Sequence, residues 1–175
     1  MTSEIDAINR VLSGDPDAFR PLVERHHKGL CIYLFQIVHD EMQAQDLAQE
    51  AFIKAYQRLE TFDSKYAFST WLYRIARNLA LKQIEIKAKA PKLVEIDSRF
   101  DLGQSFEAED QNEIDFEALQ SAIKRLKPEY QEVINLYYWN DKSYAEIAQI
   151  LSCPVNTVRT WLLRSKEIIR KELYG

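Results

Sequence analysis

Glycine is scarce: only Gly14, Gly29, Gly103 and Gly175 occur in 175 residues, so neither a GxxxxGK[ST] phosphate loop nor a GxGxxG turn can be written in this chain. Enzymes that cradle nucleotides in such loops are excluded. Cysteine is scarcer still. Cys31 and Cys153 lie far apart without CxxC spacing, which leaves neither a disulfide framework nor a cysteine zinc site, and both read as small packing residues. His26, His27 and His39 have no HExxH or triad-like context, and the adjacent pair points to different helix faces, so all three read as surface residues. No metal and no cofactor are expected. Apolar stretches such as Leu30 to Leu34 and Ala145 to Leu151 fall far below the ~20 residues needed to cross a bilayer. Met1 to Arg10 is polar, with no basic region ahead of an apolar one, so no signal peptide is readable. No membrane insertion and a cytoplasmic location are expected.

What is present is the balance of a soluble globular chain, 46% hydrophobic and 29% charged, with room for one or two domains. Apolar residues recur at helical spacing almost throughout, and strand-like alternation is nearly absent, which predicts an all-α protein. Ile5, Ile8, Val11 and Leu12 mark a short first helix that Gly14 ends. Asp15-Pro16-Asp17 offers a capping start to a second helix, with Pro21 placed to kink its first turns. From Gln45 to Phe62, the rows Leu47/Ala51/Ala55/Leu59 and Ala48/Phe52/Tyr56 make one wide apolar stripe, while Asp46, Gln49, Glu50, Lys54 and Arg58 stay outside it.

Ser69 is the expected cap of the next helix, whose core row is Leu72, Ile75, Ala76 and Leu79. On its other side Trp71, Arg74, Asn78 and Lys82 share a second stripe, with Arg77 beside it. Aromatic rings stack on unpaired bases, and an asparagine amide can read a base edge, so the stripe suits single-stranded nucleic acid. Composition alone leaves this close to even with a plain alternative in which Trp71 is core and Asn78 merely polar.

Charge divides the chain more sharply than its net −4 suggests: the segment Lys65 to Lys92 carries +6, and Leu93 to Glu117 carries −8. The acidic stretch reads as a flexible linker between domains. Beyond it, Phe116, Leu119, Ile123 and Leu126 form a helix that Lys127-Pro128 stops, and Val133, Ile134 and Tyr137 belong to the next. Ser143-Tyr144-Ala145-Glu146 matches a capping box for a helix through Leu151. Ser152-Cys153-Pro154-Val155 breaks it, and a basic helix follows from about Asn156, with Val158, Leu162 and Ile169 inward. Short helix, tight turn and longer basic helix make a helix-turn-helix. Its second helix fits the major groove of duplex DNA, where the guanidinium forks of Arg159 and Arg164 can engage guanine and the hydroxyls of Thr157 and Thr160 can hold backbone oxygens.

Three ordered segments, DLAQEAFIKAYQRLETF, FSTWLYRIARNLAL and SYAEIAQILSCPVNTVRTWLLRSKEIIRKEL, strongly resemble bacterial sigma factors of the extracytoplasmic-function group in the sigma-70 family, over nearly the whole chain. The resemblance implies a domain over residues 1–90 that binds core RNA polymerase and recognises the minus-10 promoter element. An acidic linker would follow at 91–114, and a helix-turn-helix domain at 115–175 would recognise the minus-35 element. It places Asp46, Gln49, Glu50, Phe52, Lys54 and Arg58 on or near the surface that grips the polymerase clamp helices, with the buried alternative applying best to Phe52. Asn78 falls in the minus-10 pocket, with Trp71, Arg74, Arg77 and Lys82 supporting strand separation and phosphates. Asn156, Thr157, Arg159, Thr160, Leu163, Arg164 and Lys166 fall on the minus-35 reading helix.

The implied partners are core RNA polymerase, through its clamp helices and flap, promoter DNA, and an anti-sigma factor. The linker would thread toward the RNA exit path. Three positions depart from the common pattern: Ser152 and Asn156 stand where glycine is frequent, and Trp161 where a basic residue is more usual. Asn156 tolerates a left-handed backbone, and Trp161 either packs or touches the DNA backbone.

A second reading is an autonomous helix-turn-helix regulator that binds duplex DNA without polymerase. The acidic balance, with a pI near 5.5, argues against strong solitary binding, which rests largely on phosphate neutralisation. A nuclease built on Glu41, Asp46 and Glu50 is a third reading. Carboxylates on a helix exterior are far more often a solvated or docking face, and no enzymatic activity is expected.

Overall fold

The computed structural model describes residues 3–89 and 116–175, and every regular element among them is helical. The expected linker at 91–114 lies outside the described residues. Before it come α1 (Glu4–Leu12), α2 (Arg20–Val38), α3 (Glu41–Gln57) and α4 (Phe68–Lys89); after it come α5 (Phe116–Lys124), α6 (Pro128–Ile134), α7 (Tyr144–Leu151) and α8 (Val155–Tyr174).

In the first domain, Ser3 and Asp6 form a capping box for α1, and Gly14 follows its end at φ +100, a backbone state that side chains oppose and glycine allows. Asp15 does not cap a helix. Its carboxylate accepts from Arg10 Nε and Nη2 at 3.1 and 2.6 Å, and Pro16–Phe19 make a single 3-10 turn instead. Nor does Pro21 kink α2. It sits in the first turn, where the backbone N–H it lacks would have no helical partner.

Helix α3 starts four residues ahead of the expected Gln45, because Asp40 Oδ1 accepts from the Gln43 amide at 2.8 Å. Its buried row of Ala44, Leu47, Ala48, Ala51, Phe52 and Ala55 is mostly small, which lets α2 and α4 approach closely. Ser69 also departs from expectation: it lies inside α4, buried, and its Oγ accepts from Lys142 Nζ at 2.8 Å. Leu72 and Ala76 are fully buried and Leu79 nearly so. An aromatic cluster closes the end of this domain, with the Phe19 ring edge-on to Phe52, Tyr56 and Phe68.

The second domain follows its local signals closely. Pro128 opens α6. The helix then widens into a π turn at Asn135–Trp139, and the buried Asn135 is satisfied by Asn140 Nδ2, which donates to its Oδ1 at 2.8 Å. The Ser143 capping box forms as predicted, with Ser143 N–H donating to Glu146 Oε2 at 2.9 Å and Glu146 N–H to Ser143 Oγ at 3.3 Å. Partial burial works against the Glu146 charge, yet the two Ser143 donors hold its carboxyl below the usual range. At the tight turn Ser152 takes φ 54, the left-handed state for which glycine is the natural occupant. Val158, Leu162 and Ser165 face inward from α8.

Candidate nucleic-acid interface

Helix α8 turns Asn156, Arg159, Thr160, Leu163, Arg164 and Lys166 to solvent, with Thr157 half-buried in its first turn. This is the side of the helix-turn-helix that the inward row leaves free, so the arrangement is set by the same periodicity that buries Val158 and Leu162. The Thr160 hydroxyl donates to the Asn156 carbonyl at 2.9 Å, which engages its proton and leaves lone pairs and a methyl to meet a base edge. Lys166 is exposed, but its ammonium lies over the Tyr137 and Tyr138 rings at 6.0 and 5.6 Å from their centroids, drawn toward the domain's aromatic corner. Trp161 is half-buried and packs on the core. Asn156 has no positive φ; the left-handed position of this turn is Ser152.

On α4, Arg74, Asn78 and Lys82 are exposed at four-residue steps. Trp71 answers both readings of its stripe at once: one side of the indole packs on Phe62 and Phe68, with centroids 5.4 and 6.0 Å away, and the residue is only half-buried. Arg77 is not free. Its Nε and Nη2 donate to the two carboxylate oxygens of Glu132 on α6 at 2.7 and 3.2 Å, a bidentate pair in which burial works against the arginine charge and the Glu132 carboxylate more than offsets it.

That pair belongs to a polar contact between the two domains which sequence reasoning did not find. Tyr33 Oη, on α2, donates to the same Glu132 oxygen at 2.7 Å. Tyr73 Oη donates to Asn140 at 2.8 Å, Lys142 donates to Ser69 and lies over the Tyr73 ring at 4.8 Å, and Thr70 donates to Glu146 at 3.2 Å. Burial raises the Tyr33 and Tyr73 hydroxyls well above the usual tyrosine range and lowers the Lys142 ammonium. Gly29 passes beside this contact: a Cβ there would stand 2.8 Å from Tyr73 Oη. Glycine in mid-helix costs about 1 kcal/mol relative to alanine, and here it gives the tyrosine hydroxyl its room. The available signal was the four-residue spacing of Ser69, Tyr73 and Arg77 along α4, a polar row beside the apolar one.

Helix α3 exposes Asp46, Gln49 and Glu50, with Lys54 half-exposed and paired to Glu50 at 3.0 Å, and Arg58 is exposed immediately past the helix end. Phe52 does not join that surface. At 5% exposure it lies in the core, its ring stacked on His27 and edge-on to Phe19, because it falls on the same face as Ala48 and Ala55. His26 and His27 are half-buried rather than on the surface; burial lowers the His26 pKa although Glu4 Oε1 lies 2.7 Å from its Nε2. Both cysteines are half-buried packing residues. Among the described residues no group of three or more His, Cys, Asp or Glu side chains is placed to hold a metal ion, and no helix is long and apolar enough to cross a membrane.

A protein-family model described as sigma-70 region 2 matches residues 22–90, and one described as sigma-70 region 4 matches residues 116–169. The chain is 35% identical to the RNA polymerase sigma-H factor of Pseudomonas aeruginosa, over 99% of this chain and 96% of that protein. It is 33% identical to the ECF RNA polymerase sigma factor SigW of Bacillus subtilis, over 95% and 94% of the two chains. Among solved structures it is similar to the sigma factor RpoE of Bartonella quintana, in complex with the anti-sigma factor NepR, at a TM-score of 0.68 and 20% identity over 89% of this chain and 96% of that one. It is also similar to CnrH, in complex with the cytosolic domain of CnrY, at 0.67 and 22% over 96% and 94%. At these identities it is the fold that is shared.

Proposed function

This chain belongs to the extracytoplasmic-function group of the sigma-70 family, and we propose that its two domains divide promoter recognition between an opened strand and a duplex. It is an alternative sigma factor acting with RNA polymerase. The observation that carries the division is the pair of separate exposed faces. Arg74, Asn78 and Lys82 line α4 beside the half-exposed Trp71, and Arg159, Thr160, Leu163 and Arg164 line α8.

The first face suits the minus-10 element after strand separation. Extruding a base costs a few kcal/mol; a pocket at Asn78 whose amide hydrogen-bonds the flipped base, with Trp71 for stacking and Arg74, Arg77 and Lys82 for phosphates, supplies part of the compensation. The second face suits the minus-35 element as duplex: Arg159 and Arg164 read base edges in the major groove, and Asn156, Thr157 and Lys166 lie where the backbone passes. The domains are taken as 1–90 and 115–175, joined by the acidic linker 91–114. Asp46, Gln49, Glu50 and Lys54 on the outer face of α3, with Arg58 just past its end, would dock on the clamp helices of core polymerase, and the second domain on its flap. The buried Phe52 supports that face from below. The chain itself performs no chemistry in this scheme and works in the cytoplasm, where polymerase is. An anti-sigma factor is proposed as a further partner, as one is named with the structurally similar RpoE.

The test is promoter opening by the reconstituted holoenzyme, read by the reactivity of unpaired thymines. Asn78→Ala should lower opening by roughly tenfold, as loss of one hydrogen bond to a desolvated base implies, while core binding is retained. Opening that is unchanged in this variant removes the pocket from Asn78. An autonomous regulator would instead shift one specific duplex without polymerase, against which the net charge of −4 weighs.

A further inference from the structure

The inward row of α8, Val158, Leu162 and Ser165, follows i, i+4, i+7 spacing, and the row opposite it at the same spacing is Asn156, Thr160 and Leu163. At about 100° per residue, Arg159 and Arg164 fall one on each flank of that outward row. Its centre is apolar. Leu163 is 59% exposed, the most exposed aliphatic side chain among the described residues of the second domain. The only proton of the Thr160 hydroxyl is donated to the Asn156 carbonyl at 2.9 Å, a back-bond that fixes the side chain and leaves an acceptor and a methyl facing out. We propose that Thr160 and Leu163 select the minus-35 duplex through the C5-methyl groups of its pyrimidines, those of thymine or of C5-methylated cytosine, while Arg159 and Arg164 engage guanine or phosphate on either side. The inference rests on the duplex reading of α8.

The chemistry of the groove narrows what this centre can meet. In the major groove the four unmodified base pairs present one apolar group, the thymine C5-methyl. The other base-edge groups are hydrogen-bond donors or acceptors, and a leucine seated on those takes away their water and returns no hydrogen bond. The minor groove has no methyl to offer. Unpaired bases are met by aromatic stacking, and the row of Asn156, Thr160 and Leu163 holds no ring. Thr160 and Leu163 are separated by about 4.5 Å along the helix axis, against 3.4 Å for each base-pair step of the duplex, so the two methyl readers cover adjacent base pairs. Among the described residues neither Arg159 nor Arg164 has an ion-pair partner. The face is therefore charged at its edges and apolar at its centre, the complement of a groove with phosphate walls and methyl groups on its floor.

The experiment reconstitutes holoenzyme from the full chain and core polymerase and offers it two pools of duplex DNA randomised over about one helical turn. One pool carries thymidine in the random region, the other deoxyuridine, which keeps every hydrogen-bonding group and removes only the methyl. The thymidine pool should yield an enriched sequence with pyrimidine methyls on adjacent base pairs beside guanine, and the deoxyuridine pool should enrich it weakly. In single duplexes of that sequence, deoxyuridine for one thymidine should weaken binding about fourfold, the equivalent of one buried methyl group. A gain of the same size for 5-methylcytosine over cytosine at that position shows that the methyl itself is read; a thymine effect alone supports the contact with thymine as its source. Leu163→Ala should abolish the methyl effect at one position and Thr160→Ser at its neighbour, whereas Thr160→Val, which keeps a methyl, should retain it. Binding that is equal for thymidine and deoxyuridine overturns the methyl reading and leaves the duplex reading standing. A methyl effect that survives both Leu163→Ala and Thr160→Ser overturns the assignment to these two residues. No enriched sequence in either pool removes the duplex reading of α8, and the inference with it.

Discussion

Truncating Leu72 to alanine is expected to destabilise the protein by about 2–5 kcal/mol, the largest stability effect of any change considered for this chain. Leu72 is 0% exposed on α4, the helix that packs against α2, α3 and α7. Alanine at that position loses the transfer free energy of the removed carbons and leaves a cavity that close-packed neighbours fill only in part. For a chain of this size 1 kcal/mol moves the thermal midpoint by roughly 2–4 °C, so a fall of roughly 4–20 °C in far-ultraviolet circular dichroism is the expected reading. Leu163→Ala provides the contrast: at 59% exposure it should change stability by no more than about 0.5 kcal/mol. A midpoint for Leu72→Ala that matches that of Leu163→Ala would contradict the packing described for α4.

The largest functional effect is expected for Arg164→Ala. Arg164 is exposed on α8 and has no ion-pair partner among the described residues, unlike Arg77, so its guanidinium fork is available without first breaking an internal bond. A bidentate contact to a guanine edge discriminates by about 1–3 kcal/mol. Holoenzyme binding to a minus-35 duplex should therefore weaken by roughly tenfold to a hundredfold, with the loss concentrated on one base pair. The salt dependence of binding separates the possible roles. A base reader relaxes specificity at a single position; a phosphate contact weakens all sequences alike and reduces the salt slope by about 1. Unaltered affinity and unaltered sequence preference would take Arg164 out of the reading helix.

The parts of this fold legible in the sequence are those fixed within a turn or two of the chain. Ser143 and Glu146 are three residues apart and form the capping box by themselves, Pro128 opens α6 because any helix tolerates proline there, and the α3 stripe follows from spacing between Leu47 and Ala55, although Tyr56 is exposed and Leu59 lies in a 3-10 turn past the helix end. The inaccurate readings share a different cause, a competing partner that local sequence cannot name. Asp15 has the side chain of a helix cap, but Arg10 takes its carboxylate. Ser69 has the side chain of another, but Lys142, 73 residues away, claims its hydroxyl and α4 begins ahead of it. The candidate interface shows the same division. The exposed faces of α4 and α8 were legible from helical periodicity, as was the burial of their opposite sides. The junction of Tyr33, Tyr73, Arg77, Glu132 and Asn140 was not: Arg77 was legible only as a basic residue beside the α4 stripe, and its pairing with Glu132, like the roles of the other four, arises only where the two domains meet.

The most direct test of the central claim is transcription. Purified protein is mixed with core RNA polymerase on fragmented genomic DNA, and the 5′ ends of the transcripts are sequenced against core alone. A sigma factor that divides promoter reading between α4 and α8 predicts new, defined start sites that share two spaced upstream elements. No association with core and no new start sites, together with a specific duplex shifted by the protein alone, would contradict it.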